Sequence, residues 1–170
     1  MQEREILFRG KRVDTGEWVT GASILDCTIE NEKSIYIISS NSIGKCSTNK
    51  YGTINNLKAI MRKIILETRG EYTGLTDKNG VKIFEGDILK CNDNPMDLVK
   101  AVFGEFVVID IETERRIDTV IGWHYEVIPT DELSKIEPFC FAMPLTAHYV
   151  EVCSMEVIGN IHDNPELIKE

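Results

Sequence analysis

At 170 residues the chain is long enough for one domain whose core buries roughly 70% of the unfolded surface, so it folds without disulfide or metal staples. Hydrophobic residues at 42% and charged residues at 28% exclude a disordered or low-complexity protein. The net charge of −9 is uneven, because residues 126–170 carry nine Asp or Glu against only Lys135 and Lys169, and this works against phosphate contact, which needs clustered cations.

The first residues, MQEREILFRGKR, are charged where a secretory leader needs an apolar core. No apolar run approaches the about 18 residues of a membrane span, so a cytoplasmic protein without membrane contact is expected. Ile6 and Phe8, then Trp18 and Val19, flank Asp14-Thr15-Gly16 as the arms of a β-hairpin. Arg9, Lys11 and Arg12 on its first arm read as protection of an edge strand, with nucleic-acid contact as the alternative. Residues 34–38 are rich in β-branched and aromatic side chains and form a strand. Residues 39–53 turn polar and form a flexible loop. Leu57, Ile60, Met61, Ile64 and Ile65 recur at helical spacing, so the pattern predicts a helix over 55–67, capped by Asn55 or Asn56 and ended by Gly70.

The block at 72–90, YTGLTDKNGVKIFEGDILK, is dense in turn signals. Gly74 precedes Asn79-Gly80, which supplies the positive φ of a tight hairpin between the Tyr72 arm and residues 81–84. Glu85-Gly86-Asp87 makes a second turn, where Gly86 permits the reversal and Asp87 bonds neighbouring amides, before a strand at 88–90. Strands follow at 101–103 and 106–111, joined through Gly104-Glu105, and an extended run covers 119–128. Residues 129–144 are irregular, with a short helix near 130–135 whose first turn holds Asp131 and Glu132, the sign the helix dipole favours. Strands at 149–152 and 156–161 finish the chain, closed by Asn164-Pro165. These elements suit a mainly β (α+β) fold: a small SH3-like β-barrel core from 70–111 and 149–167, with an N-terminal hairpin and one short helix, all within a single domain.

Cys27, Cys46, Cys91, Cys140 and Cys153 are odd in number and widely spaced, which reads as reduced thiols. His124, His148 and His162 have no metal-ligand spacing, and a zinc site requires assembly in space. No phosphate loop, dinucleotide fingerprint, zincin helix or hydrolase elbow occurs. Tyr72 and Thr73 lack an adjacent base, and His124 and His162 lack a visible partner. The expectation is therefore no enzyme, no cofactor, no metal and no catalytic residue. Phe139 and Phe141, aromatic residues in an irregular acidic stretch, are costly to leave in water and mark a candidate subunit contact.

The order and spacing of Phe8-Arg9-Gly10 with Gly16-Glu17-Trp18-Val19, of residues 70–80 and 83–88, and of Glu156-Val157-Ile158-Gly159-Asn160-Ile161 with Asp163-Asn164-Pro165-Glu166-Leu167 resemble the YopX family of phage and prophage proteins. The resemblance covers most of the chain and implies a β-rich fold with a barrel-like core and a homo-oligomer, but no activity. Residues 122–146 are longer than the family pattern implies and read as an insertion, a natural surface for a partner. The expectation is a non-enzymatic oligomeric module that binds an unknown host or phage protein. The alternatives are a nucleic-acid-associated protein using the basic hairpin, and an acidic mimic of DNA.

Overall fold

A computed structural model describes residues 5–29, 32–39, 47–48, 54–55, 60–110, 112–113 and 115–168. The chain divides into two compact units, Met1–Tyr72 and Thr73–Glu170.

In the first unit β1 (Phe8–Lys11) pairs antiparallel with β2 (Trp18–Gly21), Phe8 opposite Gly21 and Lys11 opposite Trp18. The predicted turn residues connect them, with Gly16 at φ +72°. β3 (Ser23–Ile29) and β4 (Glu32–Ile38) form a second antiparallel pair. A small ladder joins β5 (Ser47–Thr48) to β6 (Ile54–Asn55), and β7 (Met61–Ile64) adds a third strand beside β4. Alternation on β4 turns Ile35 and Ile37 inward, where they meet Ile64 and are packed by Phe8, Val19 and Ile24.

This unit corrects two expectations. The helix over 55–67 is not formed across its second half: Met61–Ile64 is a strand in register with Ile35–Ile38, and a 3-10 turn at Leu66–Thr68 follows. Ladder bonds to β4 and burial of Ile64 against Ile35 and Ile37 override the helical spacing. Residues 56–59 of that expectation, and nearly all of the loop at 39–53, lie outside the described residues. The second correction concerns β1, which is no edge strand, since Phe8 and Arg9 also pair with Glu71 and Gly70 of β8 (Gly70–Thr76).

In the second unit β8 continues to Thr76 and pairs with β9 (Lys82–Phe84). A five-stranded antiparallel sheet then holds β10 (Asp87–Lys90), β11 (Leu98–Ile109), β12 (Arg116–Ile128), β13 (Met143–Pro144) and β14 (Glu156–Asn160), in the order β13-β12-β11-β10-β14. The segments 70–111 and 149–167 do meet here, through β10 and β14. The sheet stays open, however, and among the described residues no closed barrel of the expected SH3-like kind is found. The fold is mainly β, and the described residues include two short helices, α1 (Glu132–Ile136) and α2 (Ala147–Val152).

Two further elements differ from expectation. The two strands joined through Gly104-Glu105 are one strand, because Gly104 stands opposite Gly122 within a continuous ladder. Residues 149–152 lie in α2, where the Thr146 hydroxyl accepts the Tyr149 amide and starts a helix in place of a strand. Of the segment 122–146, residues through Ile128 belong to β12, and Met143–Pro144 is an edge strand. Both faces of the sheet near β10 are buried: Leu89, Val99, Ala101 and Tyr125 on one, Ile88, Leu98 and Ile128 on the other.

Candidate functional site

The two sequence blocks at 72–90 and 155–167 are physically tied. Asp77 is buried, and its Oδ1 accepts the amides of Asn79 and Val81, both at 2.8 Å, while Oδ2 accepts the Val157 amide at 3.0 Å. The Lys78 amide donates to the Met155 carbonyl at 3.0 Å. The hairpin turn differs from a two-residue Asn-Gly turn: the Gly80 N–H bonds the Asp77 carbonyl and within the turn only Gly80 has positive φ, +81°, so this is a type I turn followed by a left-handed glycine. Gly74 and Gly86 also have positive φ, +89° and +79°. Buried Asp87 accepts the Phe84 amide at 2.8 Å. Asn164 accepts the Asn160 amide and begins the turn that Pro165 continues into a 3-10 helix. All of these turn residues act on the backbone.

The candidate chemical groups are largely occupied. The Thr73 hydroxyl donates to the Ile83 carbonyl at 2.9 Å. Burial pushes the Cys91 thiol up to about 12 and the Cys140 thiol up to about 11, with their thiol neighbours and Asp97 adding to the effect. Both remain protonated near neutrality, which makes them poor nucleophiles and poor metal ligands. Among the described residues no cluster of three or more His, Cys, Asp or Glu is arranged to hold a metal ion. His124 is buried and stacks on Phe106 at 4.6 Å, with Nε2 3.7 Å from Glu126 Oε1. This His and carboxylate pair stands i, i+2 on one strand face, a pairing that period-2 alternation makes available in the sequence. His162 lies in the closing turn, its amide donating to Asn160 Oδ1.

The basic hairpin is also engaged. Arg12 makes a two-pronged pair with Asp14, at 2.9 and 2.7 Å, and this bond holds the Asp14 carboxyl below its ordinary value. Arg9 and Lys11 lie over the Trp18 ring, 4.7 and 5.6 Å from its centroid. All three cations are therefore drawn onto their own hairpin. Acids of the last third are similarly used: Glu156 pairs with Lys78 and Lys90, Glu126 with Lys100, and Asp131 caps α1.

The outer half of the β11–β12 hairpin is exposed. Register places Phe103 and Trp123, Glu105 and Ile121, and Val107 and Thr119 as opposed pairs on one face. Phe103 is 52% exposed, Val107 42% and Ile121 73%. Trp123 meets Phe103 edge-on at 5.1 Å, and its buried indole N–H has no acceptor among the described residues. Arg116, opposite Ile109 and bonded to the Thr119 hydroxyl, closes the far end of this face. Phe139 and Phe141 are exposed as well, while Cys140 between them packs on the core.

No helix among the described residues is long and apolar enough to cross a membrane. A family model described as YopX protein matches residues 7–169, nearly the whole chain. The solved crystal structure of protein EF1440 from Enterococcus faecalis is similar, at 22% identity and TM-score 0.45, covering 96% of this chain and 98% of that chain. No curated protein matches.

Proposed function

This chain belongs to the YopX family, and we propose that it is a non-enzymatic interaction module that pairs with a second copy through the outer face of the β11–β12 hairpin. In that paired form it contacts a further protein, of host or phage. The observation that carries this reading is the exposed row of Phe103, Val107 and Ile121, a contiguous apolar strip that a monomer leaves in water. A second copy suits the strip because its two charges lie at different levels. Glu105 sits opposite Ile121 in the middle of the strip and Arg116 at its outer end, so a twofold axis passing between these two levels brings the acid of each copy toward the base of its mate. The residue types exposed there are those of recognition, and the Cys91 thiol is buried while the Thr73 hydroxyl is bonded to the Ile83 carbonyl.

The test compares two double variants in sedimentation experiments. Phe103→Ser with Ile121→Ser is expected to reduce a dimer to the 19.3 kDa monomer. Phe139→Ser with Phe141→Ser is expected to leave it intact, assigning those aromatics to the further partner. A dimer that survives the hairpin variant refutes the assignment of the interface.

A further inference from the structure

The opposite face of the same sheet carries, in register across three strands, Ile88 of β10, Lys100 of β11 and Glu126 of β12. Further along this face, Leu98 stands opposite Ile128. Ile161, Leu167 and Ile168 from the closing segment pack on the Ile88, Leu98 and Ile128 cluster. They leave a cavity of about 330 Å³, lined by Lys100, Glu126, Ile128, Pro129, Ile161 and Ile168. Its walls are apolar except for one ammonium and one carboxylate, with Lys100 Nζ and Glu126 Oε2 2.9 Å apart.

His124 stands beside that carboxylate on the same face, with Nδ1 3.2 Å from the Gly122 carbonyl and Nε2 3.7 Å from Glu126 Oε1. Burial works against the charge on Glu126, but Lys100 and His124 outweigh it and keep the carboxyl below its ordinary value. The Glu126 carboxyl is thus ionised near neutrality. Both members of the pair are partly exposed, and an exposed ion pair contributes little, so a ligand can replace each partner of the other at small cost.

We infer that this cavity binds a small zwitterion with an apolar side chain, of the aliphatic α-amino acid class. The ligand carboxylate sits on Lys100, its ammonium on Glu126, and its side chain over Ile128, Ile161 and Ile168. A singly charged ligand meets one attractive and one repulsive group, whereas a zwitterion satisfies both. The cavity volume of about 330 Å³ lies at the bottom of the range of about 300–1,000 Å³ for ligand pockets, which admits an amino acid. A lone ammonium beside a carboxylate also disfavours phosphate.

The test titrates L-leucine into the isotopically labelled full chain and follows amide chemical shifts by NMR. Saturable shifts at Val127, Ile128 and Ile161 are expected, with isocaproate and isoamylamine, each lacking one charge, at least about tenfold weaker. Lys100→Met and Glu126→Gln are each expected to weaken leucine by a similar factor. Ile168→Ser, in the terminal turn, tests the apolar wall independently of the charges. The inference is overturned by the absence of saturable shifts up to about 20 mM leucine, by singly charged analogues that bind as well as leucine, or by folded variants that bind unchanged.

Discussion

Removal of the Asp77 carboxylate is expected to loosen the second unit at the junction of its two most distant segments. Asp77→Ala leaves three amides without their acceptor: Asn79 and Val81 in an exposed turn, and Val157 in β14. The turn amides can recruit water, so each loses only the net value of a hydrogen bond, about 0.5–1.5 kcal/mol. The Val157 N–H is part-buried, and leaving such a donor unsatisfied costs about 1–3 kcal/mol. The combined loss is about 2–6 kcal/mol, a large share of the about 5–15 kcal/mol that stabilises a typical domain. Asp77→Asn keeps one oxygen for the two turn amides but presents an NH₂ to Val157, so it is expected to lose only the last part, about 1–3 kcal/mol. Urea unfolding followed by far-ultraviolet circular dichroism measures both variants against the native chain, with an unchanged dependence on denaturant as the control. A loss below about 1 kcal/mol for Asp77→Ala, or an asparagine variant less stable than the alanine one, refutes the role given to this carboxylate.

A Cβ added at Gly21 would lie 1.9 Å from the Ile38 carbonyl oxygen and 2.7 Å from Ile37 Cγ2, so Gly21→Ala is expected to lose at least about 1–3 kcal/mol in the same assay; a neutral result contradicts the close approach of these strands. Glu156 is held below its ordinary value by Lys90 and Lys78, and Asp93 by Lys78. A carboxyl depressed in the folded state stabilises above its ordinary pKa and loses that contribution as pH falls, so melting temperature should drop from about pH 5 to pH 3, less steeply in Glu156→Gln; equal slopes in both proteins sink this assignment. With its thiol pushed up to about 12 by burial, Cys91 should resist iodoacetamide at about pH 8 in the folded chain and react once urea is added, as read by mass spectrometry. Labelling at the unfolded rate would show that the thiol is accessible.

The local turns are legible in the sequence because their chemistry is local. Asp14-Thr15-Gly16, Asn79-Gly80 and Gly86-Asp87 each signal a reversal within a few residues, and reversals stand at those places. Sequence patterns mislead where a long-range ladder decides. Met61 and Ile64 share helical spacing with Leu57 and Ile60, yet β4 offers the backbone of Met61–Ile64 partners that a local pattern does not contain, and the strand wins. The composition of Tyr149 and Val150 suggests an extended run, but Thr146 three residues earlier is a readable helix cap, and it starts α2. Glycine in isolation suggests a turn at Gly104; its partner across the ladder, Gly122, is visible only once register is known. The same limit hides the candidate sites. Asp77 meets Val157 across 80 positions, and Lys100 meets Glu126 only through the β11–β12 register.

The central claim is that the exposed face of the β11–β12 hairpin is covered by a second copy of this chain. Light scattering coupled to size exclusion, over a range of protein concentrations, tests it most directly. A particle of twice the 19.3 kDa chain mass that becomes a monomer when Phe103 and Ile121 are both replaced by serine is the predicted result. A native protein that remains at 19.3 kDa at every concentration contradicts the claim.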